Sequence, residues 1–229
     1  IMTNRYVDGY RIYRDNVQSD QVGADILAYT DSNVAGGIHS YYVTSMYGTY
    51  ESGASNVVTV FVMPEGMVEL SHDDGTSDQG FNVGANKQMA VKFNFNHSLT
   101  VNYAKIYIQN VGNAGLIIRV FDNDGPDGMP GTQLAQYSYP VASLVQGWNY
   151  ISLPPDIDVE DGQFYIGILD VANGSAIGLD TSTSGNSFKK VGTNWEPVTE
   201  GELMIRAIVW YDTPNDDNVI PVYTLSATN

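Results

Sequence analysis

The sequence predicts an all-β protein built as two β-sandwich units, and three observations carry that prediction. Short runs rich in Val, Ile, Thr and Tyr alternate apolar with polar residues, the period of a strand with one wet face. The 23 Gly and 9 Pro are spread as punctuation between those runs rather than gathered in one tract. No stretch of ten or more residues keeps a 3.6-residue apolar period, so no amphipathic helix is expected.

The first unit runs to residue 63. Its strands are expected at Tyr10–Arg14, Ile26–Tyr29, Ser40–Tyr47 and Asn56–Val62, with Gly, Asn, Asp and Ser turns between them. Residues 64–67 follow as a linker, because Pro64 ends a ladder and Gly66 frees the chain. The second unit spans residues 68–213. Its strands are expected at Val68–Ser71, Val91–Asn96, Tyr103–Ile108, Leu116–Phe121, Leu134–Tyr139, Asn149–Leu153, Gln163–Leu169, Ala176–Asp180 and Leu203–Tyr211. About nine short strands at regular spacing predict a jelly roll or a related sandwich.

Two family resemblances sharpen this outline. Asp8-Gly9-Tyr10-Arg11-Ile12-Tyr13-Arg14-Asp15 resembles the third strand of bacterial fibronectin type III domains. Tyr41-Tyr42-Val43-Thr44-Ser45-Met46, followed by Glu51-Ser52-Gly53-Ala54-Ser55-Asn56-Val57-Val58, resembles their last hairpin, with Tyr41 at the tyrosine-corner position. The first two strands and the usual buried Trp are missing, so the first unit is a partial domain. Residues 214–229 form a tail in which Ile220-Pro221-Val222-Tyr223-Thr224-Leu225-Ser226-Ala227-Thr228-Asn229 resembles the opening strand of such a domain. Its apolar Ile220, Val222, Tyr223 and Leu225 are therefore candidates for assembly by strand addition, onto a neighbouring copy or an adjacent domain.

The second unit resembles a β-sandwich module of large secreted bacterial proteins, some exported by the Por (type IX) route. The resemblance rests on Val120-Phe121-Asp122-Asn123-Asp124-Gly125 through Gly128-Met129-Pro130-Gly131-Thr132, and on Gly147-Trp148-Asn149. It continues with Gly162-Gln163-Phe164-Tyr165-Ile166-Gly167 and Met204-Ile205-Arg206-Ala207. It implies a secreted or cell-surface location within a larger protein, and the partial fibronectin type III unit with its tail adds the expectation of a tandem-repeat or fibre-forming one.

Composition narrows the function. With 10 Lys+Arg against 26 Asp+Glu the formal net charge is -16, which repels phosphate backbones and argues against nucleic acid. No apolar run approaches membrane-spanning length, so membrane insertion is not expected. Without Cys there is no disulfide framework, thiolate metal site or cysteine nucleophile.

Asp122-Asn123-Asp124-Gly125-Pro126-Asp127-Gly128 alternates hard oxygen ligands with Gly. It is the best candidate for Ca²⁺, held by Asp122, Asp124 and Asp127 with a backbone carbonyl. The loop lacks the closing Glu of a calcium hand, and its residue types are equally those of a hairpin turn. Asp73-Asp74-Gly75-Thr76-Ser77-Asp78 reads more readily as a turn, and Asp156, Asp158, Glu160 and Asp161 as a solvated loop.

His39, His72 and His97 show no ligand spacing, and neither a Gly-x-Ser-x-Gly elbow nor a phosphate loop occurs. An enzyme therefore has no positive residue signal. Among Trp148, Trp195 and Trp210, Trp195 is placed in a loop between Asn194 and Glu196 and is the candidate for ligand contact. The expectation is a non-catalytic extracellular adhesive or structural module. Its alternatives are a carbohydrate-binding module or an accessory domain of a secreted hydrolase.

Overall fold

The computed structural model describes residues 6–153, 157–183 and 185–211. The first five strands form one antiparallel sheet: β1 (Gly9–Arg14), β2 (Val17–Gly23), β3 (Gly37–Tyr47), β4 (Tyr50–Glu51) and β5 (Val58–Val62). The order is β2-β1-β3-β4, with β5 pairing the other end of β3. Asp15 and Asn16 join β1 to β2 with φ of 52° and 65°. Both take the left-handed region that a two-residue hairpin turn demands and that Asp and Asn tolerate.

That turn corrects one expectation. The strand expected at Ile26–Tyr29 is irregular chain, and the second strand is Val17–Gly23. Val17–Gly23 is polar and exposed along almost its whole length, so hydrophobic patterning passed over it. Backbone pairing with β1, from Gly9↔Gly23 to Arg14↔Val17, makes it a strand. Tyr41 also differs from a backbone-bonded corner tyrosine: its hydroxyl donates to Asp31 Oδ2 at 2.9 Å, an oxygen that also accepts from Arg14 at 2.7 Å.

The remaining strands begin with β6 (Met67–Leu70), β7 (Gln79–Phe81), β8 (Gln88–Asn94), β9 (Leu99–Asn110) and β10 (Leu116–Asp122). They continue as β11 (Gln133–Tyr139), β12 (Gly147–Ser152), β13 (Asp158–Val159), β14 (Gln163–Leu169) and β15 (Ala176–Asp180). Last come β16 (Ser187–Val191), β17 (Asn194–Pro197), β18 (Glu202–Leu203) and β19 (Ile205–Tyr211). A six-stranded sheet has the order β11-β10-β14-β8-β16-β17. An eight-stranded sheet runs β18-β15-β9-β19-β6, with β12 and β13 also pairing β9 and β7 pairing β15. All nine strands expected here form, with Leu203–Tyr211 split into β18 and β19; β7, β13, β16 and β17 were not foreseen.

Strand alternation builds the core between these sheets. Met89, Val91 and Phe93 of β8 and Phe164, Ile166 and Ile168 of β14 point inward from one sheet. Ala104, Ile106 and Ile108 of β9 and Ile205, Ala207 and Val209 of β19 meet them from the other. The result is an all-β sandwich of antiparallel sheets.

Buried carboxylates tie the loops down through hydrogen bonds. Glu202 accepts from the Asn186 backbone N–H at 2.6 Å and from Ser187 Oγ at 2.5 Å. Asp180 accepts from the N–H groups of Asp74 and Ser182, each at 2.8 Å. Hydrogen bonds of this kind meet the cost of burying a charge.

The five-stranded sheet shares no ladder with the other two among the described residues. It meets the outer face of the eight-stranded sheet through Phe61. The Phe61 ring stacks on Tyr150 at 4.5 Å and lies edge-on to Tyr103 at 5.1 Å.

Candidate functional site

The outer face of the six-stranded sheet is the candidate site. The residues of β10, β14, β8 and β16 that alternate with the core positions turn outward there. Across one row Arg119 stands opposite Gly167, Gly167 opposite Ala90, and Ala90 opposite Phe188. In the neighbouring row Phe121 stands opposite Tyr165, and Tyr165 opposite Lys92. Gly167 and Ala90 leave a low floor, and the Phe121 ring lies across it: a Cβ on Gly167 would come within 3.0 Å of Phe121.

The face is concave. Phe121 on β10 and Trp195 on β17 are four strands apart in the sheet order, about 19 Å if the sheet were flat. Their rings are nevertheless 6.0 Å apart, edge to face. The sheet must curl to bring them together, and Phe121, Tyr165, Phe188 and Ala90 form a second, small apolar cluster that fills the hollow, all four buried and with Met129 packed against them. Trp195 closes that cluster on one side and keeps part of its own surface open.

Polar groups frame the hollow. Arg119 donates through Nε to Gln136 Oε1 at 2.8 Å and through Nη1 to Gln88 Oε1 at 2.9 Å. Two neutral amides thus hold the guanidinium in plane. Lys190 Nζ sits 5.7 Å from the Trp195 ring centre, and Lys92 Nζ 5.8 Å from that of Tyr165. The Tyr165 hydroxyl donates to the Gly128 carbonyl at 2.6 Å, and burial pushes its pKa up to about 12. A half-open aromatic on the same face as planar hydrogen-bonding groups is chemistry for holding a ligand with an apolar face and polar edges.

The expected site residues fall in separate places. Trp195 belongs to this face, on strand β17 rather than in a loop, opposite Lys190. Asp124 lies in the β10–β11 loop and spends both carboxylate oxygens on Thr132, accepting from its N–H and its hydroxyl at 2.6 Å each. Those two bonds hold its pKa below the usual carboxylate value. Asp122 Oδ1 accepts from the Asn123 N–H at 2.7 Å, while Asp127 is exposed in a short 3-10 turn with φ of 58°. Asp122 also lines a surface pocket of about 440 Å³ with Leu134, Asp158, Val159, Glu160 and Asp161. Among the described residues no three His, Cys, Asp or Glu groups gather closely enough to hold a metal. Ile220, Val222, Tyr223 and Leu225 lie outside the described residues.

Trp148 is on β12 and faces outward from the eight-stranded sheet. Lys105 Nζ lies 4.8 Å and the Arg206 guanidinium 4.5 Å from its ring centre. Both cations are neutralised by Glu69, and Arg206 also pairs with Asp73. The Asp73–Asp78 stretch is therefore spent internally: Asp78 likewise accepts from Thr181.

Sequence reasoning missed Arg119, Gln88, Gln136 and Lys190. The one available signal was Arg119, a charge between Ile118 and Val120 in the middle of a strand.

The described fold and site define a β-sandwich with a curved, aromatic-lined outer face. The chain is similar to the cysteine protease and lectin-like domains of Cwp84, a surface layer associated protein of Clostridium difficile. That match has 13% identity and a TM-score of 0.44 over 83% of this chain and 48% of that one. A structure of the same clostridial protease after propeptide cleavage matches at 13% and 0.45, over 83% and 54%. This chain thus spans about half the length of those proteins. It is also similar to carbohydrate-binding modules of promiscuous specificity from the β-sandwich superfamily, at 9% identity and a TM-score of 0.28, over 93% and 88%. No family model and no curated protein matches it. At these identities and TM-scores, no ligand or activity passes from those proteins to this chain.

Proposed function

We propose that this chain is a non-catalytic binding module of an extracellular surface protein and takes a saccharide on the concave outer face of its six-stranded sheet. The observation that carries this is Trp195. It is a half-buried aromatic fixed by Phe121 and Lys190, on the sheet face that also carries an amide-clamped arginine. A sugar ring offers an apolar face to stack on an aromatic and equatorial hydroxyls to bond to such groups. Extracellular placement rests on the family resemblance of residues 120–132 and on the acidic, Cys-free composition.

Affinity electrophoresis against a panel of soluble polysaccharides tests the reading. Trp195→Ala is expected to abolish retardation by any polysaccharide that binds the native chain, while the variant, destabilised by about 2 kcal/mol, still melts cooperatively well above the assay temperature. Retardation that survives the substitution removes this face from the function.

A second role, assembly, has its own support. The large exposed apolar side chains concentrate in the first unit, with Leu27 86%, Val17 69%, Val57 61% and Val58 51% exposed. A fibronectin type III-like half domain of this kind gains from an added strand. Ile220, Val222, Tyr223 and Leu225 are proposed to supply it, to a neighbouring copy or an adjacent domain. Deleting residues 214–229 should then shift the chain to monomer in sedimentation velocity. An unchanged distribution excludes the tail from assembly.

A further inference from the structure

The charge on the same face narrows the ligand further. Among the described residues Arg11, Arg14, Lys105, Lys189 and Arg206 each form a salt bridge with an acid. The described cations that form none are Lys87, Lys92, Arg119 and Lys190. Lys92 is on β8, Arg119 on β10 and Lys190 on β16, and Lys87 directly precedes β8. Every described cation without a salt bridge thus lies on or beside the six-stranded sheet. On this sheet Lys189, which alternates to the other side of β16, still pairs with Glu200, whereas Lys92, Arg119 and Lys190 meet carbonyls, amides and rings.

The partners on this face orient charge without cancelling it. Gln136 and Gln88 fix Arg119 and leave its Nη2 without a hydrogen bond among the described residues. Lys190 stands over Trp195, and Lys92 approaches the Gly128 carbonyl at 3.5 Å. Alternation puts Arg119, Lys92 and Lys190 on the side of the sheet that carries Phe121, Tyr165, Phe188 and Trp195. The net charge of -16 opposes any polyanion at long range, as it does nucleic acid, so attraction of an acidic ligand has to come from these local cations.

We infer that the ligand is an acidic polysaccharide whose sugar rings carry carboxylates, with a ring on Trp195 and carboxylates on Arg119 and Lys190. This rests on the saccharide-binding reading of the face. Guanidinium and carboxylate match in shape and form charge-assisted hydrogen bonds. A row of like-charged rings would meet the unpaired cations strand by strand across the sheet.

The test is calorimetric titration of the full chain with polygalacturonate and alginate oligomers. Their carboxyl-reduced counterparts, a panel of neutral oligosaccharides and poly-L-glutamate are titrated in parallel. Binding of an acidic oligomer is expected, weaker by roughly 10- to 100-fold after carboxyl reduction and in Arg119→Gln. Lys190→Gln should weaken it in the same direction, keeping the test valid if the arginine variant folds poorly. Added NaCl should lower the affinity of the acidic oligomer and leave that of the reduced one unchanged. Equal binding of acidic and reduced oligomers, both lost in Trp195→Ala, overturns the acidic ligand and leaves the saccharide face standing. Poly-L-glutamate binding as tightly as the sugars overturns saccharide recognition in favour of a general anion surface. No binding of any oligosaccharide removes both readings.

Discussion

His39 shows how one side chain acquires a pH response. Its Nδ1 lies 2.7 Å from Asp15 Oδ2 and its Nε2 2.8 Å from the Ala35 carbonyl. Both partners only accept, so the ring satisfies both when it is protonated at both nitrogens. The hydrogen bond to Asp15, followed by that to Ala35, raises the His39 pKa above 6.5. The same bond to His39, followed by the Ser40 N–H, holds Asp15 below 3.8. A raised histidine contributes stability below 6.5 that is lost as pH rises through the higher folded value. A depressed aspartate contributes above 3.8 and loses its share as pH falls through the lower folded value. Amide exchange in the β1–β2 hairpin and the start of β3 should therefore be slowest, after correction for intrinsic rates, between about pH 4 and 6.5. His39→Ala should flatten the alkaline side of that window. None of this was legible in the sequence, since the two residues are 24 positions apart and meet only because β1 pairs with β3.

The β10–β11 connection is the element on which composition and geometry part. Its Asp, Asn and Gly residues suit a calcium loop and a turn equally. The folded loop closes as a hairpin, with Asp122 N–H donating to the Thr132 carbonyl and the Gly131 N–H donating to that of Asp122, both at 2.9 Å. A cation at Asp122, Asp124 and Asp127 would have to take Asp124 from Thr132. Calcium there is a proposal carried by composition, and its expected signature is a melting temperature that falls on chelation and returns with added CaCl₂. An identical melt with and without chelator reduces the loop to a turn. The connection has a structural role in either case: its Gly128 carbonyl caps the buried Tyr165 hydroxyl and approaches Lys92. That explains why β14 is buried on both faces although its neighbour β10 keeps one face half open.

For the molecule as a whole, the junction at Phe61 decides how the first sheet is held. A stacked ring on Tyr150 and an edge contact with Tyr103 tie β5 to the outer face of the eight-stranded sheet. Aromatic pairs of this kind add to the area they bury. Phe61→Ala is expected to cost about 2 kcal/mol, for a half-buried ring. Calorimetry should read this as a drop of roughly 4–8 °C or as a separate, earlier transition for the first sheet. A melt that does not move makes the contact incidental.

The all-β class, the nine expected strands of the second unit and the ligand role proposed for Trp195 follow from local pattern, because alternation, turn residues and isolated aromatics are short-range signals. Val17–Gly23 escaped that pattern because backbone pairing, not apolar side chains, makes it a strand. The rest of the candidate site escaped for a related reason. Gln136, Arg119, Gln88 and Lys190 belong to four strands, and the order β11-β10-β14-β8-β16 sets them side by side out of sequence order. Curvature then closes Phe121 onto Trp195 across four strands. Neither strand order nor sheet curvature is a property of any short segment. Both come from packing the two inner faces around one core, and that packing turned scattered polar residues into a surface.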